Sequence, residues 1–181
     1  MKYFLFFIVA SISITTGYSQ KNKTKTGPVF DDFGAVFAID DADLLLDVDK
    51  TYKVIFDVYT DAEKPEDMNP LINTVARFMN MHAQNGLPEE QMDLVVVLHG
   101  AALKNALTEK AFKKKFKTKH PNAELISALV EKDVKIYVCG QSMKSRGYEA
   151  KDISEDVKIS LSALTALVKY QSEGFQIINF N

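Results

Sequence analysis

The chain carries a single cysteine, Cys139, and the residue types around it could support sulfur chemistry. It follows an apolar run, Val134 to Val138 (VKIYV), and precedes Gly140, Gln141, Ser142, Met143, Lys144, Ser145, Arg146 and Gly147. A thiol at the carboxyl end of a strand, followed by glycine and a helix start, sits at the rim where open α/β sheets bind ligands. With no second cysteine, a disulfide within one chain is excluded. Three roles stay open: a buried inert thiol, an intermolecular bridge, or a reactive sulfur. A reactive sulfur must be held as thiolate. A helix starting at Cys139 would aim the backbone N–H groups of Gly140, Gln141 and Ser142 at it, and Lys144 and Arg146 would add positive charge nearby.

His99 ends another apolar run, Asp93 to Leu98 (DLVVVL), and so reaches the same rim. If the two strands are neighbours, His99 could face Cys139 and favour its thiolate; the alternative is a hydrogen bond to a loop carbonyl. Asp57 lies in the run Tyr52 to Tyr59 (YKVIFDVY), two residues before Tyr59, so both point to one face of the sheet. A buried carboxylate in an apolar strand needs a partner, whereas an edge position needs none. Arg146 and Tyr148 could line the same pocket as Cys139, or be exposed turn residues. The three histidines, His82, His99 and His120, are isolated in sequence, and there is no paired-cysteine motif, so no metal site is expected. Neither a Gly-x-Gly-x-x-Gly turn, a P-loop nor a Gly-x-Ser-x-Gly elbow occurs, so no nucleotide cofactor or serine-hydrolase chemistry is expected.

Strands and helices alternate along the chain in a way that would bring these residues to one rim. The run from Tyr52 predicts a strand; Met68, Leu71, Ile72, Val75, Phe78, Met79 and His82 then repeat at helical spacing, with Asp67 or Asn69 as cap, Pro70 in the first turn and Gly86 beyond the end. The second strand is almost wholly apolar, which predicts burial on both faces of a parallel sheet. Residues Ala101 to Phe116 read as helix, with a second segment starting near Thr108. Asn122 is placed to cap a helix through Val130. After Cys139, Val157 to Leu161 alternates like a short strand, with a helix from Ser154 as the rival reading. Leu164, Leu167 and Val168 mark a last helix, and Phe175 to Phe180 a last strand. The pattern predicts an α/β single domain, a mostly parallel sheet flanked by helices on both faces, over residues 51–181.

The remaining segments are read from composition. Residues 1–19 carry Lys2, an apolar run Tyr3 to Ala10, and small residues before Gln20, as in a cleavable export signal cut after Ser19; the apolar run is too short to span a bilayer. The mature protein is therefore expected in a periplasm or outside the cell. Residues 20–28 (QKNKTKTGP) predict a flexible linker, and residues 29–50 a β extension of short edge strands or a hairpin packed on the main domain. A formal net charge of −2 over 181 residues argues against a nucleic-acid binder. The one basic run, Lys113 to Lys119, spaces Phe112 and Phe116 at i and i+4, which predicts a solvated face over a packed one.

The strand-to-cysteine step (VKIYVCGQSMKSRGY), the earlier strand ending in His-Gly (DLVVVLHGAAL) and the closing helix-glycine-strand (LTALVKYQSEGFQIINF) together resemble the DsrE/DsrF-like sulfur-relay family from about Tyr52 to the end. The resemblance implies a small α/β domain that assembles as a homo-oligomer, a trimer or hexamer. It also implies that Cys139 accepts a sulfane sulfur as a persulfide and passes it from a donor to an acceptor protein. Export and the extension before residue 51 depart from the cytoplasmic sulfur-relay members. Two other functions fit the same residues: a non-catalytic binding module that keeps the fold, and a thiol redox sensor joined through Cys139 across subunits.

Overall fold

The computed structural model of the protein describes residues 23–180. The expected export signal and the first residues of the expected linker lie outside that range. Five strands, β1 (Tyr52–Val58), β2 (Met92–Leu98), β3 (Lys135–Cys139), β4 (Lys158–Ser160) and β5 (Gln176–Asn179), form one sheet in the order β4-β3-β2-β1-β5. All four pairings are parallel. The central place of β2 explains its composition: Leu94 to Leu98 are buried without a break, because both faces of that strand are covered.

The helices divide between the two faces. Helix α1 (Pro70–Gln84) is capped by Asn69, whose side chain accepts from the N–H groups of Leu71 and Ile72, with Pro70 in the first turn. It lays Ile72, Val75, Ala76 and Met79 on one face of the sheet against Val54, Phe56, Val96 and Leu98. Helices α2 (Glu109–Phe116) and α3 (Ala123–Glu131) cover the same face through Phe112, Leu125, Ile126 and Leu129. On the opposite face a smaller core joins Ile55, Val95, Val97 and Cys139 to Ala163, Ala166 and Tyr170 of α5 (Ala163–Ser172). Helix α5 returns the chain across that face, so β5 pairs with β1 and not with β4. The strand order therefore reverses between β1 and β5, where Asn179 donates to Asp57 across the two carboxyl ends.

Some local expectations need correction. Residues 101–116 are not one helix: a 3-10 segment spans Gly100–Ala106, Leu107 bridges to Ile153, and Thr108 caps α2 by accepting from the Ala111 N–H. Asn122 precedes α3 but makes no side-chain cap bond; its amide is instead committed to Asn69 and Asn105. Between residues 23 and 50 no strand forms. Lys25, in the expected linker, exchanges both backbone hydrogen bonds with Val36, at 2.8 and 2.9 Å, as a single antiparallel bridge.

What fixes this segment is Asn80 of α1, which is fully buried. Its carbonyl accepts from the N–H groups of Val29 (3.1 Å) and Phe30 (2.9 Å), and its amide donates to the carbonyls of Phe30, Phe33 and Gly34. Val29, Phe30 and Val36 are buried beside it, while Leu44 and Leu45 stand exposed. Gly34 passes so close to α1 that a Cβ there would lie 2.4 Å from the Ala76 carbonyl carbon.

Candidate functional site

Cys139 is the last residue of β3 and the cap of α4 (Gly140–Ser145). Its side chain belongs to the smaller core and is 5% exposed. The sulfur accepts from the Ser142 N–H at 3.4 Å. Burial pushes the thiol up, but the Ser142 hydroxyl and the backbone N–H groups of Ser142, Ala163 and Gln141 outweigh it and hold the thiol below its ordinary range. Lys144 and Arg146, expected to supply charge, play no part in this: both are exposed at the far end of α4. Three of the four groups that favour the thiolate are main-chain donors.

Gly140 has a steric reason. A Cβ on it would lie 2.7 Å from the Ser160 carbonyl oxygen and 3.2 Å from that of Leu161, so the first turn of α4 packs directly on the end of β4. Gln141 is exposed, with its amide 3.4 Å from the Leu161 carbonyl. Ser160 pairs with Cys139 in the sheet and donates to the Val138 and Ser162 carbonyls.

His99 and Asp57 are brought together across 42 residues of sequence. The His99 Nε2 lies 2.7 Å from Asp57 Oδ1, and Asn179 donates to Asp57 Oδ2 at 3.0 Å. Asp57 is therefore a buried carboxylate with partners on both neighbouring strands, not a solvated edge residue. Leu98 pairs with Val138, so His99 and Cys139 come level one step beyond, on adjacent strands and the same face. Among the described residues no hydrogen bond joins them; the imidazole is anchored by Asp57. The Tyr59 ring stands beside His99, centroids 5.1 Å apart, and over Gly100, whose positive φ of 53° and lack of a Cβ let it pass. Along the rim the order is Asn179, Asp57, His99, Cys139, Ser160, with His99 the residue directly after β2 and the others the terminal or near-terminal residues of their strands.

Arg146 and Tyr148 do not join Cys139. Tyr148 belongs to the larger core on the other face, where it and Arg146 line a separate cavity with Asp61, Lys104, Lys115 and Phe116. Sequence reasoning missed a buried polar network behind that cavity. The Asp61 carboxylate accepts from the Asn69 and Asn105 amides, Asn105 from Asn122, and the Asn122 N–H donates to His120 Nδ1. Loop asparagines and aspartates look like solvated turns in sequence, and only the fold shows that these are enclosed. Among the described residues no group of three or more His, Cys, Asp and Glu could hold a metal ion, and no helix is long and apolar enough to cross a membrane.

A family model described as the DsrE/DsrF-like family matches residues 53–180. Among solved structures, a protein of unknown function from Methanobacterium thermoautotrophicum, MTH1491, superimposes with a TM-score of 0.54 at 22% identity, over 71% of this chain and 98% of its own. The ychN protein from E. coli gives 0.52 at 17% identity, over 71% of this chain and 99% of its own. These likenesses show a shared fold. None of the curated proteins matches the chain.

Proposed function

Because the chain belongs to the DsrE/DsrF-like family, a family associated with sulfur relay, we propose that it handles sulfane sulfur and carries it as a persulfide on Cys139. The observation that supports this best is the set of N–H and O–H donors on the sulfur, which favours the nucleophilic thiolate in spite of burial. In the proposed step the Cys139 thiolate attacks the outer sulfur of a donor persulfide. A new S–S bond forms at Cys139, the donor's S–S bond breaks, and the donor leaves as a thiolate with no net oxidation or reduction. An acceptor thiolate then takes the outer sulfur in the same way. In this reading His99, which follows the Leu98–Val138 pair on the neighbouring strand and is fixed by Asp57, takes the thiol proton. Gly140 and Ser142 hold the first turn of α4 on the sulfur, and Gln141 and Tyr59 border the approach.

The same proposal has the mature protein exported after cleavage at Ser19, so that donor and acceptor proteins are met in a periplasm or outside the cell. It also has the protein assemble with copies of itself. In support, Ile159 of β4, Leu161 after it, and Leu164 and Val168 of α5 are exposed apolar side chains, Leu164 at 76% exposure.

Incubation with polysulfide followed by intact mass measurement tests the chemistry: wild type gains about 32 Da per sulfur added and Cys139→Ser gains nothing. Equal gains on both proteins, or none on wild type, would end it. The 5% exposure of Cys139 favours one other reading, a binding module in which the sulfur is structural. In that case native Cys139 resists alkylation until the protein unfolds. The same burial weighs against a redox sensor bridged through Cys139 across subunits.

A further inference from the structure

We propose that the cavity between the β1 and β2 loops, the end of α2 and the end of α4 binds a small, doubly charged oxyanion. Its volume is about 280 Å³, and Lys104, Lys115 and Arg146 line it against one carboxylate, Asp61. It opens at the carboxyl ends of the strands but on the opposite face from Cys139, because Leu103 and Tyr148 in its wall belong to the larger core.

The charge balance around the cavity is uneven, with Lys115 and Arg146 exposed at its edge. Asp61 is saturated: Oδ1 accepts from the Ala62 N–H and the Asn69 amide, and Oδ2 accepts from the Asn105 amide and lies 3.2 Å from Lys104. That carboxylate balances Lys104 alone. Lys115 and Arg146 have no acidic partner among the described residues. Lys115 is positioned instead by the neutral face of the Tyr148 ring, 4.1 Å from the ammonium, and Phe116 similarly underlies Lys104 at 5.5 Å. Both rings are thus occupied by cations and are not free to stack on a ligand. Two unbalanced positive charges, one of them a guanidinium fork, suit an anion with two negative charges and several oxygens. At about 280 Å³ the cavity lies at the small end of the roughly 300–1,000 Å³ typical of ligand sites, which suits a compact tetrahedral anion. Phosphate and the sulfur oxyanions share that chemistry.

Thermal denaturation of the purified protein tests this, using inorganic phosphate, sulfate and thiosulfate in separate titrations, each against sodium chloride at matched ionic strength. Saturable stabilisation beyond the chloride control is expected, as for any ligand that binds the native state alone. Lys115→Ala with Arg146→Ala should weaken binding about tenfold or more, the effect of losing hydrogen bonds to a charged group. Lys110→Ala, on an exposed α2 position outside the cavity, should leave it unchanged, and so should Cys139→Ser, which separates this site from the sulfur chemistry. Which of the three anions saturates at the lowest concentration identifies the source. Stabilisation that never exceeds chloride, or that persists undiminished in the double variant, overturns the proposal.

Discussion

Replacing Gly140 by alanine tests how the thiol is held. The new Cβ would lie 2.7 Å from the Ser160 carbonyl oxygen, a backbone atom of β4 that cannot rotate away. A normal carbon–oxygen contact is about 3.3 Å, so α4 and β4 must separate by about 0.6 Å. Crowding of this kind in a packed core costs about 1–3 kcal/mol. At about 2–4 °C per kcal/mol for a domain of this size, the melting temperature should fall by roughly 2–12 °C. The same displacement lengthens the Ser142 N–H to sulfur contact beyond its present 3.4 Å and weakens the bond that offsets burial. The thiol should therefore titrate at higher pH in Gly140→Ala than in wild type. The assay is the pH dependence of alkylation by a small haloacetamide; its midpoint reports ionisation even if the shift in α4 also alters access. A variant with wild-type melting temperature and an unmoved midpoint would refute both the contact and its role in ionising the sulfur.

Other outcomes follow from the buried polar groups. His99→Ala leaves Asp57 with Asn179 alone and should destabilise by about 1–3 kcal/mol, the cost of removing one hydrogen-bond partner from a buried carboxylate, measured by urea unfolding; adding Asp57→Asn should recover part of that loss. His120 is held below its ordinary value by burial, and its Nδ1 accepts from the Asn122 N–H. The unfolded chain then takes up the proton first, so stability is complete above about pH 6.5 and declines as the pH falls below it. His120→Asn should flatten that decline in denaturation curves taken across this range. Asn80→Ala removes five hydrogen bonds and should cost about 2–4 kcal/mol, with protection of the Val29 and Phe30 amides from hydrogen exchange lost first.

The elements legible in the sequence were those whose pattern is local. The apolar run of β2, the helical repeat of α1 with Asn69 before Pro70, and the strand-to-cysteine step all depend on neighbours within a turn or a pleat. The division at Thr108 was half visible, because a cap residue was present but its competition with the preceding 3-10 turn was not. What stayed hidden were contacts between distant residues. Asp57 needed a partner if buried, yet nothing in the order of residues named His99 and Asn179. Lys144 and Arg146 follow the cysteine closely and still do not reach it, since the sulfur sits at the first turn of α4 and they sit at its far end, exposed. The donor from Ala163 is a main-chain group 24 positions on, with no signature in residue type.

The grip of Asn80 on the amino-terminal segment has a bearing on how that segment can change. Every atom it holds is a backbone nitrogen or oxygen, from Val29 to Gly34. Such a clasp recognises peptide groups and is blind to the side chains they carry. Selection on the side chains of the segment therefore falls on Val29 and Phe30, which are buried, on Phe33, which packs against the core, and on Gly34, which must clear α1. Asp31 and Asp32 lie exposed between them, so their side chains can be exchanged without touching the clasp, whereas an added or lost residue there would shift the carbonyls of Phe33 and Gly34 out of register with Asn80.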